Sequence, residues 1–398
     1  MRKALLFLSV TILVVLMVTV FSITGCKKET AETTAAAETT IAETTAAETT
    51  EAAAETTAPA KKLSGSIRLL CWEGYEFPET FPKWAEENGV TIDPTFIASN
   101  EEIFSKLKAG DQYDIVTPIQ AYIKPLMDNK LIQPIDISKI PNWNTIFPEI
   151  NDAIPNKYDG KIWSTPMCWG ANSWVWDADA TGILESWTDL TKPEYKGKFV
   201  LLDDIIGQIT MGAKVVGITG DPSLITPEQL EQIKQWLIEV KRNAKAVVLS
   251  FGEAKTMMES GEVFAWANGN VMVAAEGVKD GYNFKGMQIP KEGTLTFIDS
   301  YCIPTTSQNP DGALALCNAV LDAQTQLLGD IRYLAAGAVV NTVLPLMTDE
   351  DKALGYPYED LGKFWAQNPL GGPVPAEHGQ YTTMEDWNKA WEEVKASK

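Results

Sequence analysis

The side chains able to do chemistry fall in a few short stretches. Trp72-Glu73-Gly74-Tyr75 groups two aromatic rings with a carboxylate at a glycine turn, and Asp203 and Asp204 are adjacent acids. His378 is the sole histidine, and cysteines stand at positions 26, 71, 168, 302 and 317. A paired acid and base is the first chemistry to weigh at Asp203-Asp204, but neighbours at a strand end point to opposite sides. His378 lies in Pro-Ala-Glu-His-Gly, with no serine or cysteine elbow and no zinc spacing around it, which reads as a loop histidine. No glycine-rich phosphate loop of known spacing follows an expected strand. The chain is therefore expected to bind rather than to catalyse, with neither metal nor cofactor. Cys71, Cys168, Cys302 and Cys317 each have apolar neighbours, which suits buried free thiols as well as bridges, and four cysteines allow three pairings.

The elements that must position these groups follow from hydrophobic period. Ser66 to Trp72 is a short apolar run, Phe81 to Asn88 has helical spacing and stops at Gly89, and Val90 to Ile97 returns to strand pattern. Helix again over Asn100 to Ala109 and strand over Tyr113 to Thr117, ended by Pro118, complete a βαβαβ alternation. Such alternation argues for a parallel, doubly wound sheet with its binding site at the carboxyl ends of the strands. Those ends carry Trp72, Glu73 and Tyr75, and Thr117 to Gln120. A second set includes strands Phe199 to Leu202, Gly261 to Ala267 and Thr294 to Pro304, and helices over Pro227 to Arg242 and from Asp311 and Asp330. Two such units predict two lobes with a cleft where loops of both converge.

The amino terminus is of another kind. Arg2 and Lys3 precede an apolar run to about Phe21 and then Ile23-Thr24-Gly25-Cys26, the pattern of a bacterial lipoprotein signal peptide over 1–25 with Cys26 as the lipidated residue. An uncleaved membrane anchor is the alternative, since the run nearly reaches a bilayer's thickness. Residues 26–62 hold the cysteine and a Thr/Ala/Glu-rich tether that cannot bury enough apolar surface to offset chain entropy. Net charge is -20. Setting aside Arg2, Lys3 and the tether's seven glutamates and four lysines leaves about -19 on the globular part. Nucleic acid and anionic membrane faces are therefore expected to be repelled, while a cationic solute is compatible.

Several segments together resemble the spermidine/putrescine-binding family of ABC transporters. The most specific is Ser186 to Gly197 (Ser-Trp-Thr-Asp-Leu-Thr-Lys-Pro-Glu-Tyr-Lys-Gly), followed by Leu201-Leu-Asp-Asp204. Trp72 to Tyr75, Asp114 to Pro118, Trp169-Gly-Ala171, Gly261-Glu-Val263 and Ile298 to Pro304 support it in family order. The resemblance implies an α/β, two-lobed periplasmic-binding-protein fold with discontinuous lobes and a hinged cleft. Lobe 1 would take 63–170 plus 299–340 and lobe 2 171–298 plus 341–398, with crossings near Trp169 to Trp174, Ile298 to Asp299 and Val340. It implies a monomeric substrate-binding protein outside the cytoplasm, held to the membrane by its lipid, that delivers a small cationic amine to a permease with a cytoplasmic ATPase. A quaternary ammonium or zwitterion as ligand, or a sensor rather than a transporter component, are the alternatives.

Carried across residue by residue, the resemblance makes Trp72, Tyr75 and Asp299 ligand residues, with Phe297 as an aromatic wall where tryptophan is usual. Asp204 matches an acidic position, and Glu73 stands where a hydroxyl residue is common. Trp169 and Trp266 are further candidates, with core packing as the other reading of each. A buried cation needs a charge partner and π faces to replace its water. The chain departs from the pattern at Gly207 (glutamate expected), Ile119 and Ala121 (serine and tyrosine) and Ala338 (tyrosine), so fewer acidic or polar partners are available than a polyamine would use.

Overall fold

The computed structural model describes residues 63–97 and 99–398; the expected leader, Cys26 and tether lie outside the described residues. Strand β1 (Ser66–Cys71) buries Ile67, Leu69, Leu70 and Cys71 completely. It pairs in parallel with β2 (Thr91–Phe96) on one side and β3 (Ile115–Val116) on the other. Helix α1 (Phe81–Asn88) stops at Gly89, whose left-handed φ of 69° is open to glycine without strain. Helix α2 (Asn100–Ala109) begins where Ser99 Oγ accepts the Glu102 N–H at 3.3 Å. Helix α3 (Gln120–Asp128) follows β3. Local capping and a largely apolar, buried β1 thus produce the parallel unit that the alternation predicts.

The second sheet runs in the order Ala246–Val248, Phe199–Leu202, Ala265–Gly269, Ser173–Asp177, Phe284–Gln288, the first three parallel and the last two antiparallel. Alternate residues feed separate cores: Phe199, Leu201 and Ala267 pack with Trp187, Leu237 and Trp391, whereas Val200 and Trp266 pack with Met258 and Phe284. Both faces are covered, which explains the nearly continuous apolar runs of its strands. The molecule is thus α/β with two lobes, each on its own sheet.

The fully buried strand Thr165–Ala171 leaves the first core, and Thr296–Tyr301 returns antiparallel beside it, with Asp299 opposite Cys168. The third crossing differs from expectation. Val343, Met347, Leu361 and Trp365 belong to the first core, and Val374, Met384 and Trp387 to the second, so the chain crosses after Trp365 rather than near Val340. The cause is aromatic: Tyr356, Tyr358, Phe364 and Trp365 surround the Trp169 ring at centroid distances of 4.9, 6.3, 5.4 and 5.1 Å, and this cluster holds residues 341–367 on the first lobe. The helix expected from Asp330 is instead a π-helix over Gln326–Tyr333. Cys71, Cys168, Cys302 and Cys317 are buried free thiols. Among the described residues no helix is long and apolar enough to cross a membrane.

Candidate functional site

After β1 the chain turns on Gly74, at φ 94°, where a Cβ would stand 2.9 Å from Leu334 and 3.0 Å from Tyr333. The turn is closed by the Tyr75 N–H donating to the Trp72 carbonyl at 3.1 Å. It swings Tyr75 onto the returning strand, where its hydroxyl donates to Asp299 Oδ2 at 2.7 Å. Tyr301 Oη donates to the Tyr75 carbonyl at 3.0 Å and fixes the turn from below. Cys168 Sγ lies 3.9 Å from the same Asp299 oxygen. Asp299 is only 6% exposed. Burial pushes its carboxyl up to about 6, against the opposing pull of the Tyr75 and Cys168 hydrogen bonds. At neutral pH this is a desolvated anion with one strong donor.

Phe297 lies two residues earlier on the same strand and so shares a face with Asp299. Its ring covers Gly170, where a Cβ would meet Phe297 Cζ at 2.4 Å. Phe297 and Trp72 are half-buried, and Glu73 is exposed. Tyr75, Phe297 and Asp299 are therefore brought together, and Trp72 joins the turn through its backbone carbonyl. Trp169 and Trp266 are not: Trp169 is wholly buried in the aromatic cluster and donates its indole N–H to the Ala338 carbonyl at 3.0 Å. Trp266 is buried against Phe251 at 5.1 Å, its ring lying over Gly269. As folded, both rings face core side chains.

Asp204 serves a structural purpose as well. It caps the helix Ile205–Val215, accepting the Gly207 N–H at 3.1 Å. Burial raises its carboxyl pKa, with Glu101 of the first lobe and Asp203 adding to the rise. Asp203 turns away, accepting the Trp391 indole N–H at 2.6 Å and the Lys395 ammonium at 3.0 Å. His378 is exposed and pairs with Asp386 at 3.3 Å.

A cavity of about 360 Å³ lies between the lobes, lined by Ile119, Ala121 and Tyr122 of the first and Ile206, Thr210, Pro373, Met384 and Trp387 of the second. Ile119 and Ala121, two of the departures noted in the sequence, face this space. Gln120, at one of the strand ends expected to carry the site, is 1% exposed. Its Oε1 accepts the Ile298 N–H at 2.9 Å and its Nε2 donates to the Gly371 carbonyl at 3.0 Å, tying α3 to two of the connecting segments. Asp330 is a second buried acid: both oxygens lack a hydrogen-bond partner, and burial together with Asp299 holds its carboxyl well above the usual range. The Gln326 amide lies near enough to oppose that rise, but its N–H groups donate to the Met167 and Val320 carbonyls.

A family model described as bacterial extracellular solute-binding protein matches residues 80–342. A spermidine/putrescine-binding periplasmic protein of Salmonella typhimurium is 30% identical over 310 residues, 75% of this chain and 86% of its own length. Its Escherichia coli counterpart is 30% identical over 322 residues, 77% and 88% of the two chains. Among solved structures, the spermidine/putrescine ABC transporter substrate-binding protein of Streptococcus pneumoniae matches with a TM-score of 0.68 at 25% identity, covering 83% of this chain and 97% of that one. A Treponema pallidum lipoprotein matches in fold with a TM-score of 0.69 at 21% identity, covering 83% and 99%.

Proposed function

The chain belongs to the bacterial extracellular solute-binding protein family, and from that premise we propose that it is the substrate-binding lipoprotein of an ABC importer, capturing a small cationic amine between its lobes for a permease. The observation that carries the reading is Asp299, an acid on the returning strand, almost fully desolvated and held by Tyr75 at 2.7 Å. A buried anion of this kind costs free energy in the empty protein, and a cation that loses its own water beside it recovers that cost. Trp72 and Phe297 supply π faces, each contributing about 0.5 to 2 kcal/mol to a desolvated cation. The relatives named for spermidine and putrescine support the solute class. Lipidation at Cys26 would confine the receptor near its transporter, two or three acyl chains sufficing without a spanning helix.

A second reading, a quaternary ammonium or zwitterionic solute, is favoured by Ile119, Ala121 and Gly207, which take polar partners out of the cleft. Calorimetric titration against putrescine, spermidine, choline and glycine betaine separates the two. Heat from putrescine or spermidine supports the first, heat from choline or betaine alone the second. Silence for all four, with binding of an anion or a sugar, rejects both.

A further inference from the structure

The interlobe cavity of about 360 Å³ has walls of one character. Ile119, Ala121 and Pro125 face it from the first lobe, and Ile206, Val374 and Met384 from the second. Its polar side chains are already engaged: Gln120 with Ile298 and Gly371, Tyr122 with Glu101, Thr210 with the Ile206 carbonyl, Ser223 with Asp221, and Thr383 and His378 with Asp386. Among the described residues that line it, the only carboxylate is Glu385, which is exposed, and an ion pair in water contributes little. This space begins beside the acid of the site. Ile119 forms an isolated antiparallel bridge with Asp299, and residues directly opposed in this way carry their side chains on one face, with Cβ atoms about 5 Å apart. An apolar cavity of about 150 Å³ takes benzene, so this one has room for a body of phenylalkyl size.

We propose that the captured molecule is a monoamine with an apolar body, its ammonium at Asp299 and its alkyl or aryl end in this cavity. The inference rests on the amine being held at Asp299. A diamine would bring a second ammonium against walls that hold no buried charge partner, and losing its water there is costly. An apolar end gains from the same transfer. Ile119 and Ala121, two departures from the polyamine pattern, thus become the surfaces that select the body of the solute.

Calorimetry with ethylamine, n-butylamine, 2-phenylethylamine and putrescine tests it. In the native chain affinity should rise about fourfold for each methylene added from ethylamine to butylamine, and phenylethylamine should bind at least about tenfold tighter than putrescine. Ala121→Leu fills the cavity from the second residue of α3 and should lower phenylethylamine affinity at least about tenfold relative to ethylamine. Ala121→Asp puts a carboxylate into the same space, at a helix amino terminus that favours one, and should reverse the order so that putrescine binds tighter than phenylethylamine. Thermal melts show that each variant is folded, and the aspartate variant decides alone if the leucine variant is not. Putrescine binding as tightly as phenylethylamine in the native chain, or a folded variant that keeps the native order and ratios, would overturn the apolar body while the Asp299 reading stands. Binding by none of the four sinks the amine reading and this inference with it.

Discussion

Replacing Asp299 with asparagine should stabilise the empty protein and disable it. The substitution keeps the size of the side chain and leaves Tyr75 an acceptor at the same place, but removes the charge. Asp299 is 6% exposed and its folded pKa is about 6, against an ordinary 3.8. An acid with a raised folded pKa holds more protons folded than unfolded, so stability falls as pH rises from about 4 to 6 and the full penalty remains above that. Two units correspond to about 3 kcal/mol. Asp299→Asn should therefore gain up to about 3 kcal/mol at pH 7.5, a rise of several degrees in Tm, and almost nothing at pH 4. Removing a desolvated charge partner should at the same time cost amine binding about 2 to 5 kcal/mol, about 30-fold to several-thousand-fold in Kd. Thermal melts at the two pH values and calorimetry read both effects. A variant that melts lower at pH 7.5, or binds amine within about threefold of the native protein, would refute the assignment of Asp299 as a desolvated cation partner.

Other expectations follow from the same geometry. Amine affinity of the native protein should be level from pH 7 to 9 and fall about tenfold per unit below about pH 6, as Asp299 takes up its proton; affinity unchanged at pH 5 would contradict this. Tyr75→Phe removes the donor 2.7 Å from Asp299, so it should move that midpoint upward and weaken binding by about 1 to 3 kcal/mol, and an unmoved midpoint in the titration would count against it. Gly170→Ala places a methyl 2.4 Å from the Phe297 ring and should cost about 1 to 3 kcal/mol of stability, along with amine affinity; an unchanged melt would mean the ring yields freely. Cys26→Ser should release the protein from membranes or trap its precursor in a fractionation with acyl labelling, whereas a fully processed, membrane-bound form would reject lipidation.

What could be read from the sequence was what is decided locally. Helix α1 ends at Gly89 and α2 begins at Ser99 because caps act within a turn, and β1 ends in the buried run Leu69-Leu70-Cys71 because it lies in the middle of its sheet. Asp203 and Asp204 diverge as adjacent strand-end residues must. The rest depends on contacts between distant segments. The third crossing is displaced by aromatic packing of Tyr356, Tyr358, Phe364 and Trp365 on Trp169, nearly two hundred residues earlier in the chain. The π-helix around Asp330 passes so close to Phe77 that a Cβ at Gly329 would stand 2.8 Å from that ring, a constraint with no local signature. Trp169 and Trp266 look like Trp72 in a motif, and only packing separates the two fully buried rings from the half-buried one.

The most direct measurement is a crystal structure of the chain grown with a saturating primary amine. The ammonium nitrogen should lie within about 3 Å of an Asp299 carboxylate oxygen, with Trp72 and Phe297 against the carbon stem. An amine seated away from Asp299, or an anion in its place, would contradict the account.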